Sequence, residues 1–154
     1  MKLSEAGQEV KAKLKTLESK KRLLKSIQRQ IANAKADMDG LNAVSYGEVK
    51  VTSNSNKTSV QERFTALICR LEARYEKVMD EAFAVEDAIA EAVLYLNELE
   101  QAVIIDRYVN GYSWRKIEKL HNYCERQVYY CHNEALEELA KNEAVKKILN
   151  IVEE

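Results

Sequence analysis

The sequence predicts an all-α protein, and three observations carry that prediction. The 154 residues contain no proline and four glycines, which suits long uninterrupted helices and leaves too few breakers for the turns of a sheet protein. Apolar residues recur at steps of three, four and seven over two segments of more than thirty residues each, the spacing that paints one stripe along a helix. Capping signatures then punctuate the chain between the striped segments.

The first helix is expected from about Ser4 to about Asp39. Its stripe begins at Val10 and continues through Leu14, Leu17, Leu24, Ile27, Ile31, Ala34, Met38 and Leu41, with Gly40 as the stop. Val44 to Thr58 reads as a mobile loop: it holds Gly47, a short alternation at Val49 and Val51, and the polar run from Ser53 to Thr58, which has nothing to bury. Tyr46 and Gly47 suggest no chemistry. Ser59 with Glu62 three residues on forms a capping box. The stripe resumes at Phe64, Leu67, Leu71, Tyr75, Val78, Ala82, Val85, Ile89, Ala92 and Leu96. Two such helices joined by one loop imply an antiparallel coiled-coil hairpin over residues 1–96 (loop about 40–58), each arm on the order of 50 Å long.

Charge fits that pairing. From Lys11 to Arg29 eight basic residues stand against Glu18 alone, and from Glu76 to Glu100 eight acids stand against Lys77 alone. An antiparallel hairpin lays these stretches side by side, so the basic run reads first as a complement that specifies the fold, and second as a phosphate-binding arm. The chain as a whole carries a net charge of −1, which predicts no nucleic-acid partner, so local charge has to decide. No uncharged stretch approaches the roughly 20 apolar residues of a membrane span, and the N-terminus lacks a basic-then-apolar signal, so a cytoplasmic protein without membrane contact is expected. Cys69, Cys124 and Cys131 are an odd number without framework spacing, which predicts reduced thiols.

Residues 97–154 carry the second expected domain. Asn97 with Glu100 caps a shorter helix that buries Leu99, Val103, Ile104 and Tyr108, and Asn110-Gly111 stops it. Ser113 caps a helix of about eight residues with Trp114, Ile117 and Leu120; His121-Asn122-Tyr123 form a turn; Cys124 opens a longer helix with Val128, Cys131, Ala135, Leu136 and Leu139 on its inner face. A short helix, a tight turn and a longer helix make a helix-turn-helix, whose second helix enters the major groove of DNA.

The run from Asp106 to Ile117 (DRYVNGYSWRKI), continuing through Asn122 to Tyr129 (NYCERQVY) and Ala135-Leu136, resembles the fourth region of bacterial sigma factors. More closely it is similar to phage and prophage late-transcription regulators of the ArpU and RinA type, in which a helical hairpin with a polar loop precedes such a module. The chain departs from that pattern at Glu118, where a small alanine is usual, and at His121, where leucine is common. The resemblance implies a transcription activator of phage or prophage late genes in a bacterial host cytoplasm, with host RNA polymerase as a further partner.

From the residues, double-stranded DNA is the expected partner. Outward positions of the last helix are Glu125, Arg126, Gln127, Tyr129, Tyr130 and Asn133. Arg can take guanine, and Gln or Asn adenine, through two hydrogen bonds each, so base contact is assigned to Arg126, Gln127 and Tyr130 first, with Glu125 and Asn133 beside them. Ser113, Arg115, Lys116, Lys119 and Tyr123 are assigned to backbone phosphates. Between Arg107 and Asn133 five basic residues face two acids, a local excess of positive charge. The hairpin is expected to mediate self-association. Two other readings stay open: a small-terminase-like DNA-packaging subunit, which would form a ring, and a coiled-coil adaptor that binds no DNA. His121, Cys124, Cys131 and His132 match no standard zinc spacing, Trp114 reads as a packing residue, and no nucleophile–base pair, carboxylate pair or phosphate-cradling glycine loop is present to suggest an enzyme or a cofactor.

Overall fold

In a computed structural model, residues 2–45 and 55–151 are described, with the backbone alone for residues 42–45 and 55–59. The described residues form helices and turns without a strand. Two long helices, α1 (Glu5–Ser45) and α2 (Ser55–Ala92), are followed by a turn of 3₁₀ helix (Val93–Tyr95), then α3 (Glu98–Ile104), α4 (Trp114–His121), α5 (Glu125–Lys141) and α6 (Glu143–Ile148). None is long and apolar enough to cross a membrane.

The expected ends of the hairpin helices are corrected. α1 passes through Gly40 to Ser45, and α2 begins at Ser55, so Ser59 lies inside a helix instead of capping one. A single glycine costs about 1 kcal/mol in a helix interior, too little to stop a helix of this length without a partner for its last carbonyls. The loop expected over 40–58 shrinks accordingly, and its core, with Tyr46, Gly47, Val49 and Val51, lies outside the described residues.

Packing divides the chain into two compact units. The first, Arg22–Asp80, is a helix pair. Ile27, Leu71 and Val78 are buried, flanked by Leu23, Leu24, Ile31 and Tyr75. Exposed polar pairs follow its antiparallel register: Gln28 donates to the Tyr75 hydroxyl (2.9 Å) and Lys35 faces Glu72 (3.6 Å). The stripe shifts by one place at its start, since Ile68 is buried and Leu67 is exposed.

The second unit joins residues 1–21 to residues 81–154. The boundary expected at 96/97 therefore differs from the one that packing draws. Val10, Leu14 and Leu17 of α1, Ile89 and Ala92 of α2, Ile104 and Tyr108, and Ala135, Leu136 and Leu139 of α5 are all buried, each large apolar side chain contributing roughly 1.5–3 kcal/mol. Polar contacts pin α1 into this unit. The Ser4 N–H and hydroxyl both donate to the Glu137 carboxylate (2.6 and 2.8 Å), and Gly7 allows the close approach, because a Cβ there would lie 2.9 Å from the same carboxylate. Lys20 pairs with Glu81, as the charge pattern leads one to expect, while Lys21 donates to the Val109 carbonyl.

Asn97 caps α3 by accepting from the Glu100 N–H (2.9 Å), which satisfies one of the orphan donors of the first turn. The helix then widens over Ile105–Val109, where the Asn110 N–H reaches back five residues to the Ile105 carbonyl (2.9 Å). Gly111, at φ 70°, turns the chain so that the Tyr112 N–H meets the Asp106 carbonyl (2.9 Å); a side chain would be strained there. A further break at Asn142, whose side chain accepts from the Ala144 N–H, separates α6 from α5.

Candidate nucleic-acid interface

The turn between α4 and α5 is built from local capping. Ser113 starts α4 by accepting from the Lys116 N–H (3.2 Å). Asn122 ends it in the left-handed conformation (φ 55°), its N–H returning to the Glu118 carbonyl; asparagine is among the few residues that adopt this conformation readily. Cys124 then takes the N-cap position of α5, and Gln127 reaches back to accept from the Cys124 N–H (3.1 Å). Ile117 is wholly buried between Val103 of α3 and Val128 of α5, which fixes the short helix against both neighbours. Leu120, the third apolar residue of this helix, is 54% exposed. His121 turns inward in its place, its Nε2 2.8 Å from Asp106 Oδ2, and Asn110 holds the other Asp106 oxygen (3.0 Å). A polar clasp thus stands where leucine would pack.

Glu125, Arg126, Tyr129, Tyr130 and Asn133 line one depression of about 510 Å³ along the outward side of α5. Four of the five residues assigned to base contact are therefore together, and Tyr129 joins them. The fifth, Gln127, is exposed but its carboxamide oxygen is engaged in capping, and it lines a different groove, between α3 and α5, with Leu99, Val103 and Cys131. The Tyr130 hydroxyl is bonded to Glu134, which raises its pKa. Of the residues assigned to phosphate, Arg115, Lys116 and Lys119 are exposed on α4 and Tyr123 is exposed in the turn, while the Ser113 hydroxyl is taken up as the cap. Lys116 places its ammonium 3.7 Å above the Tyr112 ring.

Behind this face lies a polar cluster that the periodicity did not place. His132 is 1% exposed. Its Nδ1 is 3.0 Å from Asn133 Oδ1, an acceptor, so Nδ1 carries the proton and Nε2 accepts from the Tyr108 hydroxyl at 2.7 Å. Burial drives the imidazole pKa down to about 4, Lys11 and Arg107 adding to the effect, and pushes the Tyr108 phenol well above its ordinary value. Trp114 packs edge-on to His132 and against Tyr129, with the Arg107 guanidinium 4.5 Å above its ring. Arg107 is further held by donating to the Tyr112 carbonyl (3.0 Å).

Beside the cluster opens a groove of about 520 Å³ lined by Gln8, Lys11 and Lys15 of α1, Arg107, Trp114, and Tyr129, His132 and Asn133 of α5. Lys11 and Lys15 thus face Arg107 and α5, not the acidic run of α2 for which the charge pattern paired them. Their signal was visible as charge, but its direction depends on which face of α1 packs.

Cys69 and Cys124 are exposed free thiols, and burial raises the Cys131 pKa to about 11. Among the described residues no group of three or more His, Cys, Asp or Glu is placed to hold a metal ion. No protein-family model, curated protein or solved structure matches the chain.

Proposed function

We propose that the chain is a sequence-specific double-stranded-DNA-binding protein, with α4 and α5 acting as a helix-turn-helix and α5 seated in the major groove. One observation carries this reading: Arg126, Tyr129, Tyr130, Glu125 and Asn133 share an open face in the first half of α5, immediately after a three-residue turn. Arg126 offers the guanidinium fork that matches guanine, Tyr129 adds a hydroxyl, the Asn133 Oδ1 being engaged by His132 and the Tyr130 hydroxyl by Glu134, and Arg115, Lys116 and Lys119 on α4 supply cations for the backbone. Gln127 contributes through the geometry of the helix start. Extending this to a transcription activator of phage late genes, in contact with host RNA polymerase and self-associating through the hairpin, rests on the resemblance of residues 106–136 to the regulators named above.

The test is selection of bound duplexes from a random pool by the full chain, followed by titration across a salt series. Arg126→Ala is expected to cost roughly 1–3 kcal/mol on the selected duplex and to change binding to an unrelated duplex little. Equal affinity for every duplex would remove sequence-specific reading. Absence of any salt-dependent binding would leave a protein-docking role, and a ring-sized mass in solution together with indifference to sequence would favour DNA packaging.

A further inference from the structure

We propose that the groove lined by Lys11, Lys15 and Arg107 holds a backbone phosphate of the duplex that α5 reads, which makes the N-terminal part of α1 a second arm of the DNA interface. The inference rests on the DNA-binding reading above. Three cations line this groove and, among the described residues, no carboxylate does. The like charges repel one another there: Lys11 is half-buried, and its pKa is lowered by burial and by repulsion from Lys15 and Arg107. Arg107 is fixed in place by Trp114 and the Tyr112 carbonyl, so little side-chain freedom is lost when it meets a ligand. Gln8 and Asn133 add polar groups to the rim.

Continuity identifies the anion. Tyr129 and Asn133 belong both to this groove and to the outward face of α5. A helix lying in the major groove is flanked by a row of phosphates on each side, so an electropositive groove bordering that helix meets phosphodiester as soon as the bases are approached. A free phosphate ion shares the chemistry, and the experiment separates the two.

The full chain is compared with the double variant Lys11→Gln/Lys15→Gln, with Lys15→Gln alone, and with Lys13→Gln. Lys13 lies two residues along α1 from both lysines, on the opposite side of the helix, and removes one charge without touching the groove. Binding to the selected duplex and to an unrelated one is followed against salt. The double variant should weaken both by the same factor and flatten the slope of log affinity against log salt by about 1, the share of one phosphate, Lys15→Gln should flatten it by less, and Lys13→Gln should leave the slope as in the unaltered protein. Melting curves of the three variants check that each stays folded, and Lys15, being exposed, provides the safer single change.

If the unaltered chain binds DNA with a salt-dependent affinity and the double variant keeps the same slope, the groove assignment fails while the DNA-binding reading stands. Equal flattening by Lys13→Gln would reduce the effect to net charge and overturn the groove. Stabilisation of the unaltered chain, but not the double variant, by millimolar inorganic phosphate together with an unchanged DNA slope would assign the groove to a free anion instead. Absence of salt-dependent DNA binding by the unaltered chain would overturn both readings together.

Discussion

The helix pair Arg22–Asp80 and the unit formed by residues 1–21 and 81–154 are made of the same secondary structure, yet they bury different chemistry. The pair buries Ile27, Leu71 and Val78 and joins its arms by exposed polar contacts such as Lys35–Glu72. The other unit buries a histidine, a tyrosine and the Glu100 side chain alongside its aliphatic core. Glu100 stays bonded to Asn97, its pKa raised by burial and by Glu134 and Glu138. A single apolar stripe suffices to hold two helices together, whereas several short helices meeting at angles bring polar side chains inward, where each needs a partner. The exposed face assigned to DNA lies in the unit that contains those polar clusters.

The largest expected effect tests whether the two cores differ in how they respond to a void. Ile117→Ala removes a side chain enclosed between α3 and α5, and should cost roughly 2–5 kcal/mol in urea unfolding. Leu71→Ala leaves a space that two long helices can close, at the lower end of that range, about 2 kcal/mol. A larger loss from Leu71→Ala than from Ile117→Ala would break the distinction.

Titration sharpens it further. The folded pKa of His132, about 4, lies below the ordinary imidazole value near 6.5. As pH falls below about 6.5 the unfolded chain takes up a proton that the folded chain refuses, so the stability is present above that pH and is lost as pH descends toward about 4. Between pH 7 and pH 5 the loss amounts to roughly 2 kcal/mol, at 1.36 kcal/mol per pH unit. His132→Gln should flatten that slope when unfolding is measured at both pH values. A slope identical to that of the unaltered chain would show that the imidazole is not held neutral.

The smallest expected effect concerns Gly7. Alanine there gains about 1 kcal/mol of helix preference, but its methyl displaces the Glu137 carboxylate from Ser4. The two changes offset, and the melting temperature should move by only a few degrees. A shift above about 8 °C in either direction would mean that one of the two contributions had been misjudged.

Local rules and periodicity account for what was legible in the sequence. Leu14, Leu17, Ile27 and Ile89 fell on the stripes and are fully buried, and Asn97, marked by its spacing from Glu100, and Ser113, marked by its residue type, are caps. What was not legible arises where packing chooses between equivalent local options. Gly40 could stop a helix or continue it. Leu120 and His121 are adjacent, and the partner supplied by Asp106 decides which one turns inward. Gln127 stands three residues after Cys124, the spacing of a capping box, but cysteine in place of serine or threonine hid the motif and left Gln127 looking free for a base. His132 became visible only once Tyr108 and Asn133, one from another helix and one from its own, were both beside it.

Insertions and deletions bear unequally on the C-terminal helices. The widened turn over Ile105–Val109 holds one residue more than an α-helical turn, so removing a residue there lets the backbone tighten to α geometry, with Val103 before it and Ile117 beyond Gly111 keeping their common core. The same removal in the middle of α5 rotates every later side chain by about 100°, turning Leu136 and Leu139 toward water. Chain length is therefore negotiable at this turn in a way that it is not within α5.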